Sequence, residues 1–159
     1  MKIGETLPDF QLPDARGVIR SKAEFLNGQF LVLFFYPKDN TPGCTKEVCS
    51  FRDAYQEFLD AGCEVIGVSG DTVKSHAIFA DQFALHYPIL SDDKGSLRKS
   101  MHVPKKIFGL IPGRVTYIFD PNGNCIHITN NMMDAEKHVK DALTVIGKNK
   151  KDETRLNTL

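Results

Sequence analysis

Seven consecutive residues, Phe30-Leu31-Val32-Leu33-Phe34-Phe35-Tyr36, form a run that is apolar throughout. A strand with one face in water alternates apolar and polar side chains, whereas an unbroken apolar run of this length fits a strand covered on both faces. It belongs in the middle of a sheet, and what flanks it in sequence has to supply the cover.

The flanking segments do. From Thr45 to Ala61 the residues Val48, Phe51, Tyr55, Phe58 and Leu59 recur at helical spacing, and Gly62 supplies a stop. A second buried strand is expected over Glu64–Ser69, a helix over Thr72–Ala84, and a short helix over Ser91–Met101. A strand over Val115–Phe119 then leads through Pro121-Asn122-Gly123-Asn124 into another over Cys125–Thr129, with Asn-Gly as the hairpin signal. A hairpin is also expected around Asp14–Gly17, and a last amphipathic helix over Ala135–Ile146. Strand, helix, strand, helix, hairpin and final helix make an α/β protein of the thioredoxin-like fold, a central mixed β-sheet flanked by helices on both faces. Residues 1–147 read as that one domain, since 159 residues, 42% of them hydrophobic, suffice for one sizeable core and not for two. Residues 148–159 are charged, lack a core face and read as a mobile tail.

Twenty basic residues balance twenty acidic ones, which leaves no net field to steer the chain to nucleic acid or to a membrane surface. A small or neutral partner is expected instead. Met1–Thr6 lacks a basic segment followed by an apolar stretch, and no apolar run approaches the roughly 18 residues of a membrane span, so the expected location is cytoplasmic.

Four cysteines stand at 44, 49, 63 and 125 in a chain whose core does not need them as staples. Cys63 opens an apolar run and Cys125 follows a turn, so both read as strand residues that pack as small hydrophobes. Cys44 differs, because the segment from Tyr36 to Cys49 joins the central strand to the first long helix. Open α/β sheets bind ligands outside the carboxyl ends of their strands. Pro42 and Gly43 let the chain turn sharply and place Cys44 in the first turn of the helix, where free N–H groups and the helix dipole favour an anion.

An ordinary cysteine, with a pKa near 8.5, is only about 3% thiolate at pH 7, so a reactive one needs roughly 3–4 kcal/mol of preferential stabilisation. A helix terminus supplies about 0.3–1 kcal/mol, up to ~2 when partly buried, so a cation is required as well. Arginine suits the task, being always charged and carrying a fork of donors. Arg114, just before a strand, falls at the same end of the sheet; the helical positions of Lys46 and Arg52 aim them elsewhere. Five helical steps separate Cys44 from Cys49, which puts their Cα atoms roughly 8.6 Å apart. A disulfide needs less than about 7 Å, so any bond between them requires the first turns to unwind. Around the helix Cys44 shares the face of Val48, Phe51 and Tyr55, whereas Cys49 falls beside Arg52, Asp53 and Gln56, nearer water.

Plainer readings compete. A Cys-x4-Cys pair exceeds the usual zinc-ligand spacing and no second close pair accompanies it; the absence of Cys-x-x-Cys disfavours exchange by a vicinal dithiol. The five histidines, at 76, 86, 102, 127 and 138, are scattered without ligand spacing and read as surface or packing residues. Glu47 at the helix start reads as a complement to the dipole, with a contact to an arginine as the alternative.

The stretch Phe35-Tyr36-Pro37-Lys38-Asp39-Asn40-Thr41-Pro42-Gly43-Cys44-Thr45-Lys46-Glu47, with Cys49 and Ser50-Phe51-Arg52-Asp53, resembles the signature of the peroxiredoxin Q, or bacterioferritin comigratory protein, group of peroxiredoxins. The likeness extends through Val65-Ile66-Gly67-Val68-Ser69, Ser75-His76, Pro88-Ile89-Leu90-Ser91-Asp92 and Gly113-Arg114 to the final helix. Val115 and Thr116 depart from it, standing where a hydroxyl pair is commoner in the group.

The resemblance implies a thiol-dependent peroxidase for hydrogen peroxide and organic hydroperoxides. Cys44 would be the peroxidatic cysteine and Cys49 the resolving one, joined in an intramolecular disulfide that thioredoxin or a similar dithiol reduces. Pro37 would shield the thiolate, the Thr41 hydroxyl would bond thiolate and peroxide, and Arg114 would stabilise both. It also implies a monomer with no metal, haem or flavin. A non-enzymatic redox-sensing or chaperone-like thiol protein of the same fold is the alternative.

Overall fold

The computed structural model describes residues 1–158. Strand β1 (Gln11–Pro13) pairs antiparallel with β2 (Ile19–Ser21), and a single helical turn α1 (Lys22–Phe25) follows. The central strand β3 (Phe30–Phe35) runs into α2 (Pro42–Asp60), then β4 (Cys63–Ser69), α3 (Val73–Gln82), β5 (Ile89–Ser91) and α4 (Ser96–Ser100). A small hairpin of β6 (Lys105–Lys106) and β7 (Ile111–Pro112) precedes β8 (Val115–Phe119), β9 (Cys125–Asn130) and the long α5 (Ala135–Leu156).

The main sheet has the order β5-β4-β3-β8-β9, with β3 parallel to β4, β4 parallel to β5, and the β3–β8 and β8–β9 pairs antiparallel. The unbroken apolar run is thus the middle strand, fully buried along its length. Its side chains alternate between two cores. Phe30, Val32, Phe34 and Tyr36 face Val48, Phe51 and Phe58 of α2, Phe79 of α3 and Val139, Ala142 and Ile146 of α5. Leu31, Leu33 and Phe35 face Leu7, Phe25, Leu97 and Met101 on the other side. Phe34 stacks on Phe51 with ring centroids 4.3 Å apart, so one aromatic pair clamps α2 onto the sheet beside the Cys44 turn. The expected mixed sheet, covered by helices on both faces, is borne out.

Two expectations along the chain need correcting. Residues 91–101 do not form one helix: Ile89–Ser91 is the edge strand β5, and the helix begins only at Ser96. The reason lies in Asp92, whose carboxylate accepts the backbone N–H groups of Leu97 and Arg98 and so caps a helix that starts after Gly95. The expected hairpin through Asn122-Gly123 does form: β8 and β9 pair antiparallel across it, Gly123 takes a positive φ, its N–H donates to Asp120 O at 2.9 Å, and a register irregularity lies at Ile118/Phe119. The last helix does not end at Ile146 but continues to Leu156, nine residues into the segment read as a tail. Its buried positions do stop at Ile146; beyond it, lysines, Glu153 and Arg155 are good helix formers that propagate a helix already nucleated. Leu159, the last residue of that segment, lies outside the described residues.

Candidate active site

The turn between β3 and α2 is tied down before it reaches Cys44. Asp39 is 5% exposed and gathers the Tyr36 hydroxyl (2.6 Å), the Ser75 hydroxyl (2.7 Å) and His76 Nδ1 (2.8 Å) on its carboxylate, while its own N–H donates to Asp71 Oδ2 (2.9 Å). Burial pushes this carboxyl up, but the hydrogen bonds from His76 and Tyr36 outweigh it and hold Asp39 below the ordinary carboxylate range. Donor atoms of Asp39, Asp71 and His76 lie within 4.8 Å of one another, a cation-like constellation whose two carboxylates are already taken up by N–H and O–H donors. The cluster is therefore an anchor that fixes the strand-to-helix turn to α3. None of this was read from the sequence, where His76 counted as a packing residue; no spacing rule links position 39 to positions 71 and 76.

Beyond the anchor Asn40 takes a positive φ, Thr41 is the extended N-cap residue and Pro42 opens the helix, where its missing N–H costs nothing. Cys44 follows in the first turn, 1% exposed. Among the described residues, the hydrogen bond to its sulfur comes from Arg114, whose Nη2 stands 3.4 Å from Sγ. Arg114 is itself 4% exposed and spends the rest of its fork locally, with Nε to Met132 O (3.2 Å) and Nη1 to Gly43 O (3.3 Å) and to Glu47 Oε2. Its position at the start of β8 brings it to the carboxyl end of antiparallel β3, the end from which the Cys44 loop springs.

Glu47 is fully buried one turn after Cys44 and forms an ion pair with Arg114, so it does more than complement the dipole. Burial pushes its carboxyl up to about 8 against the pull of Arg114. Lys46 and Arg52 turn away as expected, Lys46 to Glu136 and Arg52 to Asp53 and the Phe83 carbonyl.

The remaining predicted residues lie around this centre in differing relation to it. The Thr41 hydroxyl donates to Lys38 O at 2.9 Å and is not bonded to the Cys44 sulfur. Pro37, half-buried, lines a cavity of about 510 Å³ together with Lys38, Asp92, Arg98, Lys99 and Val103, a space that Cys44 does not border. Cys49 stands on the same unbroken helix as Cys44, half-buried; burial pushes its thiol up, and Arg52 pulls it the other way. Cys63 and Cys125 are buried strand thiols, both pushed up by burial, Cys125 to about 11, which suits packing rather than chemistry.

A sulfur in the first turn of a helix, with an arginine fork that touches it while anchored to a buried carboxylate, can hold an anion and can donate to a second oxygen beside it. The comparison with known proteins agrees. The model of the AhpC/TSA family matches residues 3–128. The chain belongs to the AhpC/TSA family. Within it the chain is similar to chloroplastic peroxiredoxin Q of Sedum lineare, 44% identical over 143 residues, which cover 90% of this chain and 76% of the relative. The corresponding protein of Triticum aestivum is 45% identical, and this chain spans 65% of its length. Among solved structures, the Mycobacterium tuberculosis peroxidoxin BcpB superposes with a TM-score of 0.86 at 35% identity, covering 93% of this chain and 97% of that one. The expected family, peroxiredoxin of the Q type, and its class, a thiol peroxidase, are thus borne out.

One expectation is overturned. The expectation of a cytoplasmic location finds no support in the plant peroxiredoxin Q relatives, which are named chloroplastic. The cytoplasmic reading rested on the lack of a basic and then apolar segment at residues 1–6, and the composition of a folded domain carries no address.

Proposed function

We propose that this peroxiredoxin reduces hydrogen peroxide and organic hydroperoxides with Cys44 as the attacking thiolate and Cys49 as the resolving thiol. The observation that carries the reading is the Arg114 fork, with one nitrogen at 3.4 Å from Cys44 Sγ and the other on Glu47. The thiolate attacks the terminal peroxide oxygen; an S–O bond forms, the O–O bond breaks, and the departing oxygen takes a proton to leave as water or alcohol. Arg114 carries the charge that develops on the breaking bond. The Thr41 hydroxyl joins once it turns from Lys38 O towards the sulfur, and Pro37 keeps bulk water from the loop.

Cys49 then attacks the sulfenic acid, expelling water as the disulfide forms. Both cysteines lie on one continuous helix, so that step requires the first turns of α2 to unwind. A dithiol such as thioredoxin restores both thiols by exchange. A solved relative, the Xanthomonas campestris bacterioferritin comigratory protein, is described for alkyl peroxide reduction; it is 29% identical with a TM-score of 0.79, which supports organic hydroperoxides as substrates here. In this proposal residues 1–147 carry the chemistry of a monomer that needs no metal, haem or flavin, and residues 148–159 take no part in it. Neutral net charge gives no attraction to nucleic acid, and no helix of the described residues is long and apolar enough to cross a membrane.

The test is peroxide consumption with thioredoxin, thioredoxin reductase and NADPH, beside an intact-mass spectrum after one equivalent of peroxide. Turnover and a loss of about two mass units mapped to Cys44 and Cys49 are expected. Stoichiometric oxidation without turnover would replace the enzyme with a redox-sensing thiol protein, and unreacted thiols would leave only a binding module.

A further inference from the structure

Behind Arg114 the contacts lead to a histidine that the peroxidase chemistry does not use. Glu47 gives Oε2 to Arg114, while its Oε1, fully buried, has no hydrogen-bond partner among the described residues. His138 Nδ1 of α5 stands 3.7 Å from that oxygen, and His138 is 0% exposed. Its other nitrogen, Nε2, lies 2.7 Å from the Asn131 carbonyl oxygen. A carbonyl only accepts, so Nε2 carries the hydrogen, and in the neutral ring Nδ1 is bare. The Thr116 hydroxyl, 2.7 Å away, fills that lone pair.

We propose that His138, with Thr116, is a positioning residue for Arg114: acting through Glu47, it sets how the guanidinium is shared between Glu47 and the Cys44 sulfur. This deepens the peroxidase reading and rests on it. With the ring neutral, Arg114 is the side-chain donor to Glu47 among the described residues. A proton taken from solvent onto Nδ1 gives Oε1 a donor of its own once the Thr116 hydroxyl turns aside, and the charge on the ring joins that of Arg114 in favouring ionised Glu47 against the burial that pushes its carboxyl up. Glu47 is then held from two sides, and more of the Arg114 charge is available to the sulfur. The charged groups that face the ring are Glu47 from α2, Arg114 from β8, and Asp134 and Asp141 at the start and first turns of α5. Burial holds His138 below the usual histidine range, the Asn131 carbonyl opposes it, and Arg114 adds to the lowering, so the switch falls on the acid side of neutrality.

The experiment is the rate of iodoacetamide alkylation at Cys44, followed by peptide mass mapping from pH 5 to 9, for the full chain and for His138→Gln and Thr116→Val. Alkylation reports the sulfur without requiring peroxide turnover. For the unsubstituted protein the rate should fall towards acid less steeply than one thiol ionisation demands, with an excess of more than about twofold below neutrality. His138→Gln keeps a donor for the Asn131 carbonyl but cannot titrate, so the excess should vanish. Thr116→Val removes the hydroxyl that competes for Nδ1, so the inflection should move to higher pH. Superimposable profiles for all three proteins, or an excess that survives in His138→Gln, overturn the inference. A histidine-dependent profile in a protein that turns over no peroxide would leave the positioning role standing and sink the peroxidase reading; turnover with superimposed profiles would do the reverse.

Discussion

Arg114 Nη2 stands 3.4 Å from the sulfur of Cys44, a residue 70 positions away, while Nη1 of the same guanidinium pairs with Glu47 one helical turn beyond that sulfur. One planar group therefore reads the first turn of α2 at two points. Arg114→Ala should slow oxidation of the protein by hydrogen peroxide at least about a hundredfold, since in the proposed mechanism the fork serves the charge on the breaking bond. Arg114→Lys should recover only part of this, because a point charge cannot span sulfur and carboxylate together. Stopped-flow fluorescence or competition kinetics measures the rate, and a loss below about threefold in the alanine variant would assign the chemistry to another cation.

The arginine was legible in the sequence because the chain has to bring a cation to the carboxyl end of its central strand, and Arg114 immediately precedes a strand that pairs there. The fold was legible for a related reason: an apolar run buried on both faces dictates a middle strand, and helical periodicity on either side dictates its cover. What could not be read depends on contacts between distant positions. Asp39 looks like a loop aspartate until α3 brings Ser75 and His76 onto it. Glu47 looks like a dipole complement until β8 delivers Arg114, and His138 looks like packing until its ring is found against Thr116. The extent of α5 was missed because apolar periodicity ends at Ile146 while helix propensity does not.

Cys44 and Cys49 sit on one intact helix with free thiols, so in the proposed mechanism capture of the sulfenic acid is coupled to local unwinding. Cys44→Ser should abolish peroxide consumption. Cys49→Ser should still consume about one equivalent but turn over poorly with thioredoxin, and its Cys44 should gain further oxygens under excess peroxide because nothing captures the first oxidation product. Intact mass after stepwise peroxide addition distinguishes the two variants. Unchanged steady-state turnover in Cys49→Ser would move the resolving role to Cys63, Cys125 or an external thiol.

Glu47 is the carboxyl that burial pushes highest, to about 8, from an ordinary value of 4.5. A group raised on folding binds its proton more tightly in the native state, so its contribution to stability is complete below about pH 4.5 and is lost as pH rises through about 8. At about 1.36 kcal/mol per pH unit, the loss across that window amounts to a few kcal/mol at most. In Glu47→Gln this pH-dependent part should disappear, leaving a flatter curve of urea midpoint against pH. Parallel curves for the two proteins would show that Glu47 is ionised throughout.

Asp39 has the opposite sign. Held below its ordinary 3.8, it stabilises the fold above that pH, and the contribution disappears as pH falls through its lower native value. Asp39→Asn breaks the charge-assisted contacts to Ser75, His76 and Tyr36 and should cost about 2–3 kcal/mol at neutral pH. The gap from the unsubstituted protein should narrow below about pH 4, as measured by urea unfolding. A gap that stays constant down to pH 3 would assign the cost to packing rather than to charge.

Gly43 separates stability from chemistry. A Cβ at this position would lie 2.9 Å from Arg114 Nη2, the nitrogen that touches Cys44. Gly43 is helical and does not take a positive φ, so Gly43→Ala gains up to about 1 kcal/mol of helix propensity. The methyl group must then be accommodated by the guanidinium, since the other side of the contact is backbone; with Arg114 held at Met132 O and Glu47, the nitrogen nearest the sulfur is the part that yields. The variant should therefore unfold at a temperature equal to or above that of the unsubstituted protein yet react with peroxide about tenfold more slowly, the equivalent of roughly 1.4 kcal/mol of lost transition-state stabilisation. An unchanged rate would mean that Arg114 shifts as a whole and keeps its aim, and a lowered melting temperature would mean that the helix start, not the arginine, takes up the strain.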